Sequence, residues 1–157
     1  MATVAGLTKK FHEGLERLFE DGVSQNVLTQ IQCDALKAIL QKEKASLKPL
    51  EDRDQDRSSA IAALQTNMPT NPAELAAIKA NFEARHKSLV ENLNAIQESQ
   101  FNEFEQQLES LGIPSGIQQQ ILSHVRNAQQ ERIAGLEARA KVDEKCLENP
   151  ARDRNMQ

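Results

Sequence analysis

The stretch Leu-Gly-Ile-Pro-Ser-Gly-Ile at 111–117 joins a helix stop directly to a helix start. Glycine readily adopts the left-handed conformation that ends a helix, proline does not continue one, and a serine side chain caps the next. The stretch Asp-Gly-Val-Ser-Gln-Asn-Val at 21–27 repeats the glycine and serine signals. We therefore expect sharp helix-to-helix corners at Gly22 and at Gly112 with Pro114.

The composition is typical of an all-α protein. Hydrophobic residues make up 39% of the 157 residues and aromatic residues only 3%, while six Gly and five Pro are few for the turns of an all-β domain. The formal net charge is −4, with acidic and basic residues interleaved along the chain. Because nucleic acids are bound by Lys and Arg gathered on one surface, we expect no nucleic-acid partner.

The sequence also lacks the features of a membrane protein. No stretch approaches the ~20 apolar residues that a membrane span requires. Lys9 and Lys10 follow the first short apolar run, whereas the basic residues of a Sec-type signal peptide precede it. We therefore expect no membrane insertion and a cytoplasmic location where the chain is made.

Apolar residues spaced by three or four positions predict four helices in one domain covering 1–148. The second helix contains Pro49, which removes a backbone donor, so we expect a bend near Pro49 that acts as a hinge or kink, with a true break as the alternative. Thr3, Ser24 and Ser115 are the expected caps of three helices. The expected ranges are 3–21, 24–66, 72–111 and 115–147, followed by a disordered tail at 149–157.

The two corners are related by a shift of 90 positions, which takes Gly22 to Gly112. The same shift takes Val27 to Ile117 and Ile31 to Ile121. Internal duplication explains the match, and so does the shared pattern of any helical hairpin. Both explanations predict two paired hairpins whose corners lie at the same end of the molecule.

We therefore expect an elongated, coiled-coil-like arrangement of antiparallel helical hairpins. At ~1.5 Å per residue the second and third helices are each about 60 Å long, and the first is less than half that. Four helices should meet at the glycine corners and thin to two or three helices at the other end. The expected four-helix core consists of Phe11, Leu15, Leu18, Val27, Ile31, Phe104, Leu108, Ile117 and Ile121.

The thin end is where the sequence predicts an interaction site. Its apolar residues are mostly small and bury little area each, so a protein partner is expected to complete the packing there. A second copy of the chain, giving a homodimer, is one candidate for that partner. The residues predicted to contact it are Ile61, Leu64, Leu75 and Ile78.

Motifs for catalysis or metal binding are incomplete. His12 begins a pattern like His-Glu-x-x-His, but Glu16 stands where the second histidine is needed. Glu83 and His86 have the Glu-x-x-His spacing of di-iron bundles, yet neither other histidine has a matching glutamate. We therefore expect no enzyme, no cofactor, no metal and no catalytic residue.

Two further residue types bear on the site. His86 lies on the apolar stripe of the third helix and is expected at a partly wet position of the helix seam, with pH-sensitive packing at the thin end as the alternative. Cys33 and Cys146 are separated by about 30 Å of helix rise, well beyond the ~7 Å over which a disulfide bridges two α-carbons. We expect free thiols, with Cys33 serving as a small packing residue.

These features predict a non-catalytic helical module or scaffold for protein–protein interaction. Two alternatives remain open. One is a bacterial effector translocated into a host cell by a type IV-like secretion system, because the polar stretch rich in Glu and Arg at 137–157 resembles such signals in composition. The other is a secretion or assembly chaperone that uses an amphipathic groove.

Overall fold

The computed structural model describes residues 3–148, and within them the chain forms four helices and no strand. The prediction of an all-α protein is confirmed. α1 contacts α2 and α4, and α3 contacts the same two helices. The helices are α1 (Val4–Ser24), α2 (Gln30–Thr66), α3 (Pro72–Ser110) and α4 (Ser115–Glu148).

α2 passes through Pro49 as one helix, so the alternative of a true break is wrong. The neighbouring residues explain why the proline is tolerated. Leu47 is fully buried and Leu50 is nearly so. Burying these side chains offsets the backbone hydrogen bond that the proline ring removes.

The connection between α1 and α2 differs from the sequence prediction. α1 continues to Ser24, and α2 begins at Gln30 instead of residue 24. Thr29 caps α2, because Thr29 Oγ1 accepts from Gln32 N at 3.1 Å while Thr29 N donates to Gln32 Oε1 at 3.0 Å. This reciprocal pair satisfies two free helix-end groups at once, which Ser24 alone does not do.

Gly22 does not have the left-handed conformation expected of it; Asn26 does, with φ of 59°. The carbonyl of Gly22 accepts from Val27 N at 2.8 Å and from Leu28 N at 3.0 Å. These two hydrogen bonds hold Leu28 against α1. A Cβ at Gly22 would lie 2.7 Å from Leu28 Cδ1. Glycine is needed at this corner because Leu28 approaches the helix so closely.

The corner between α3 and α4 matches its prediction. Gly112 has φ of 69°, in the left-handed region. Ile113 N donates to Leu108 O at 3.2 Å, and Pro114 O accepts from Ile117 N and Gln118 N. Ile113 is therefore held in the core, only 3% exposed.

Three apolar clusters succeed one another along the helices. The first cluster draws on all four helices and includes Phe11, Leu15, Phe19, Leu36, Leu40, Phe104, Leu108 and Ile121. The second joins Val4 to Leu47, Leu50, Leu89, Leu93 and Leu136. The third comprises Ile61, Met68, Phe82, Ala140 and Leu147. Among the described residues, no member of the third cluster comes from α1, because that helix begins at Val4 in the second.

Two residues predicted for the four-helix core are exposed. Val27 is 40% exposed and Ile31 is 81% exposed. Because α2 begins later than predicted, Val27 falls in the corner and Ile31 in the first turn of α2, facing outward. Leu28 and Cys33 take their places in the first cluster. Residues related by the shift of 90 positions therefore do not occupy equivalent places in the structure, since Ile121, the counterpart of the exposed Ile31, is fully buried.

Candidate functional site

The four residues predicted to bind a partner do not form an exposed patch. Ile61 is only 7% exposed within the third cluster, and Leu64, Leu75 and Ile78 pack against that cluster. The prediction counted small side chains at this end, where Phe82, only 6% exposed, is also part of the third cluster. Ile61 is therefore chiefly a core residue.

Three of these four residues nevertheless line one surface feature, a groove of about 440 Å³ between α2 and α3. We call it the α2–α3 groove. Its apolar lining consists of Ala60, Ile61, Ala63, Leu64, Ile78 and Phe82. Its polar lining consists of Arg57, Asn67, Asn81 and Arg85.

The groove has a buried floor and an exposed rim. Ile61 and Phe82 are buried at its base, whereas Ala63 on α2 and Asn81 on α3 are exposed. Because Ala63 has no side chain beyond Cβ, the α2 side of the groove remains open to solvent. Leu75 lies outside the groove although it packs on the same cluster.

Arg57 is the most unusual residue in the lining. Its side chain is 4% exposed, and its guanidinium carbon lies 5.7 Å from the centre of the Phe82 ring. Nη1 lies 2.7 Å from His86 Nδ1, while Nε and Nη2 have no hydrogen-bond partner among the described residues. Burial lowers the pKa of Arg57, an effect opposed by the carboxylates of Asp143 and Glu137.

Asp54, a carboxylate close to Arg57, is already engaged elsewhere. Asp54 Oδ1 lies 3.7 Å from Arg57 Nη2, too far for a hydrogen bond. Asp54 Oδ2 accepts from Arg139 Nη1 at 3.0 Å and from the backbone N of Val4 at 3.2 Å. Arg139 Nη2 also donates to Asp54 Oδ1. Asp54 therefore ties α2 to α1 and α4 and leaves Arg57 incompletely paired.

His86 fixes the position of Arg57. Its ring stacks on Phe82 with centroids 6.5 Å apart, and its Nε2 lies 3.4 Å from Glu137 Oε2. Because arginine only donates hydrogen bonds, Nδ1 accepts from Arg57 and the ring proton is on Nε2, facing Glu137. The dependence of packing at this end on pH stays a prediction.

A second buried polar group lies between the first two clusters. Arg132 is completely buried, although its position looks like an interruption of the apolar face of α4. Its Nε donates to Thr8 Oγ1 at 3.1 Å, Nη1 to Gln97 Oε1 at 3.2 Å and Nη2 to Glu43 Oε1 at 3.0 Å. One guanidinium thus joins α4 to each of the other three helices.

The remaining candidates for chemistry are separated from one another. Within residues 3–148, no group of three or more His, Cys, Asp or Glu side chains lies close enough to hold a metal ion. Cys33 and Cys146 are both free thiols. Cys33 is buried in the first cluster as predicted, and burial raises its pKa. In the same described range, no helix is long and apolar enough to span a membrane.

Sequence reasoning missed Arg57 and Asp54, but a signal for both was present. Leu47, Leu50, Asp54, Arg57 and Ile61 follow one another at alternating spacings of three and four. The polar run at 51–57 therefore carries two positions on the buried face of α2. A hydrophobicity pattern overlooks such positions because it counts only apolar residues.

Comparison with protein-family models, with curated proteins and with solved structures found no match to this chain. The predicted tail, 149–157, lies outside the described residues. Function is therefore inferred from the geometry of the α2–α3 groove.

Proposed function

We propose that this protein is a non-catalytic helical module that binds another protein in the α2–α3 groove. The observation that carries the proposal is the combination of an apolar floor with an exposed, small-residue rim between two long helices. Apolar side chains of a partner that enter such a groove lose contact with water, and this burial favours binding. Helix-in-groove recognition uses the same arrangement.

We also propose that the helices form elongated antiparallel hairpins, with four helices at one end and three at the other. The polar contacts support this. Arg132 contacts Thr8 on α1, and Arg139 contacts Asp54, which binds the backbone of Val4. Residues with rising numbers along α4 are thus linked to residues with falling numbers along α1, as in antiparallel helices. Likewise Gln100 and His86 on α3 meet Glu43 and Arg57 on α2.

Site-specific photo-crosslinking tests the proposed function. A photoreactive amino acid replaces Ala63 on the rim of the groove, and the control places it at Ala45, another exposed alanine of α2. We expect the Ala63 derivative to capture one discrete partner in cells that produce the protein. Capture from Ala45 of equal yield would count against a binding site in the groove.

Charge substitutions sharpen the test. Leu64→Asp and Ile78→Asp place a carboxylate in the groove, and Leu75→Asp places one on a half-buried residue outside it. We expect the first two to abolish capture and Leu75→Asp to leave it intact, with all three checked for helicity by circular dichroism. Capture that persists in folded Leu64→Asp and Ile78→Asp proteins would disprove the groove as the site.

The effector and chaperone alternatives remain predictions. The effector hypothesis depends on the C-terminal part of the sequence, and deleting 148–157 should abolish translocation into a host cell without affecting crosslinking from Ala63. The chaperone hypothesis requires a secreted client in the groove, which the same crosslink would identify. Neither alternative changes where the partner is expected to bind.

A further inference from the structure

The lining of the α2–α3 groove is positively charged within an acidic chain. Arg57 and Arg85 line it, and among the described residues no Asp or Glu does. An adjoining recess shares these two arginines and adds Arg53 with a single carboxylate, Asp56. The chain as a whole has a formal net charge of −4. The side chains that line the groove therefore carry a net positive charge, which Asp54, Asp143 and Glu137 offset in part at Arg57 and which attracts partners of the opposite charge.

The hydrogen-bonding state of Arg57 points to the kind of group that binds there. Its Nε and Nη2 are buried without a hydrogen-bond partner, and Asp54 is occupied by Arg139. Leaving charged donors unpaired in a buried site is costly, and a carboxylate is the acceptor that matches a guanidinium best. His86 and Phe82 hold the Arg57 guanidinium in place, so its orientation does not have to be fixed when a ligand arrives.

The two walls of the groove recur at helical spacing. Ala60 and Ala63 on α2 and Asn67 at its C-terminal end follow one another at intervals of three or four, and Ile78, Asn81 and Arg85 do so on α3. Side chains spaced this way form ridges, and a third helix packs its own ridges between them. The α2 wall from Arg57 to Asn67 is about 15 Å long, enough for about three turns of a bound helix.

The same geometry argues against a second copy of this chain as the occupant. Two identical grooves facing each other across a twofold axis would oppose like charges, because each carries Arg57 and Arg85. Like charges brought together at an interface are unfavourable. An acidic helix of another protein has no such conflict.

We propose that the α2–α3 groove takes an acidic amphipathic helix, whose apolar side chains cover Leu64 and Ile78 and whose carboxylates pair with Arg57 and Arg85. This inference rests on the proposed function, that the groove binds a partner protein. It adds the chemistry of the partner. Arg57 and Arg85 lie toward the same end of the groove, since Arg57 contacts His86, the residue next to Arg85. The carboxylates should therefore cluster near one end of the bound helix.

Two designed peptides test this inference. Both are fluorescein-labelled helices with leucines at the same positions, and one carries glutamates in an end turn where the other carries lysines. Their binding to the full chain is measured by fluorescence anisotropy. We expect the acidic peptide to bind at least about tenfold more tightly, because each charge-assisted hydrogen bond is worth about one power of ten or more. Added salt should reduce the difference.

Variants of the protein locate the effect. Arg85→Glu reverses an exposed charge of the groove and should weaken the acidic peptide by about tenfold while strengthening the basic one. Arg17→Glu makes the same change at an exposed arginine of α1 and should alter neither affinity. Arg57→Gln is a second test at the buried position, read only after circular dichroism and thermal unfolding show that the variant folds.

The outcomes separate the two proposals. If both peptides bind equally and Ile78→Asp abolishes both, the groove binds partners but the inference of an acidic helix is overturned. If Ile78→Asp leaves both affinities unchanged, the groove is not the site and the proposed function fails as well. If neither peptide binds, the inference is overturned. The inference is also overturned if the groove binds the fatty acid oleate and not the peptides. Self-association of the free chain that Arg85→Glu abolishes would overturn it as well.

Discussion

Arg132 and Glu43 form the most deeply buried charge pair of the described residues, and Thr8 and Gln97 accept the other hydrogen bonds of Arg132. Burial lowers the pKa of Arg132, and the attraction of Glu43 opposes this. Such a pair contributes little net stability compared with well-packed apolar residues, because both charges lose their hydration. Removing one member is different, since it leaves the other buried without a counter-charge.

Glu43→Leu should therefore destabilise the protein by about 3–5 kcal/mol, measured by urea unfolding. The control is Glu103→Leu, which removes the exposed ion pair between Lys42 and Glu103 and should cost less than about 1 kcal/mol. Adding Arg132→Leu to Glu43→Leu should recover much of the loss. Equal costs for the two single variants would contradict the assignment of Glu43 as the buried counter-charge.

Asp143 gives a pH dependence whose sign follows from its surroundings. Burial raises its pKa above the usual 3.8, against the attraction of Arg57, Arg139 and His86. A carboxyl whose pKa is raised by folding contributes stability at low pH, and this is lost as the pH rises through its folded-state pKa. At neutral pH the ionised Asp143 is therefore a net cost to folding.

Asp143→Asn should accordingly raise the urea midpoint at pH 7, and the difference from the parent protein should disappear below about pH 3.8. Asp52→Asn provides the control. Asp52 is exposed and pairs with Lys48 on the same helix, so its substitution should change stability by less than about 1 kcal/mol. A lower midpoint for Asp143→Asn at pH 7 would mean that the attraction of Arg57, Arg139 and His86 outweighs the effect of burial.

At the scale of whole elements, the corner between α1 and α2 depends on one missing side chain. Gly22→Ala would place a Cβ 2.7 Å from Leu28 Cδ1, so Leu28 would have to leave its buried position. We expect a loss of about 1–3 kcal/mol, as for other overpacked cores, measured by thermal unfolding.

Gly14→Ala is the matched control for that substitution. Gly14 also lies within α1, but a Cβ there would meet nothing within 4 Å. Alanine is the better helix former, so Gly14→Ala should stabilise the protein by about 0.5–1 kcal/mol. Stabilisation by both substitutions would show that Leu28 adjusts freely.

The elements that could be predicted from sequence are those with a single strong signal at each end. Pro72 after Asn71 starts α3, and Gly112 with Pro114 separates α3 from α4, so those bounds lie within one residue of prediction. The first corner carries two competing sets of signals. Gly22 with Ser24 resembles the second corner, yet Thr29 with Gln32 forms the capping box that starts α2.

The candidate site was only partly predictable for a related reason. Leu64 and Ile78 follow from their apolar spacing, and both line the groove. The burial of Arg57 does not follow, because it depends on Phe82 and His86 arriving from another helix. Pairings between residues far apart in the chain are set by how the helices pack, which periodicity within one helix leaves open.

At the scale of the whole molecule, stability should differ between the two ends. The first cluster is built from four helices, whereas no described member of the third comes from α1. Fewer buried contacts allow local opening at lower free energy. We expect amides around Ile61 and Phe82 to exchange with deuterium faster than those around Leu36 and Leu108, measured by mass spectrometry.

Binding of the acidic peptide should reverse that difference in amide exchange rate between the two ends. The acidic peptide should slow exchange at Ile61 and Phe82 and leave Leu36 and Leu108 unchanged, because it covers only the third cluster. Uniform protection of both regions would indicate binding elsewhere.

The buried charges have one more consequence, for how the helices align lengthwise. Leucine-rich seams tolerate sliding, since a shift of about seven residues brings leucine onto leucine again. Glu43 meets Arg132 and Asp54 meets Arg139 only in the observed alignment. Any slip would strand four charges in an apolar interior. The two ion pairs therefore specify the lengthwise alignment of the helices. They cost little stability in the observed alignment and would be left as unpaired buried charges in any other.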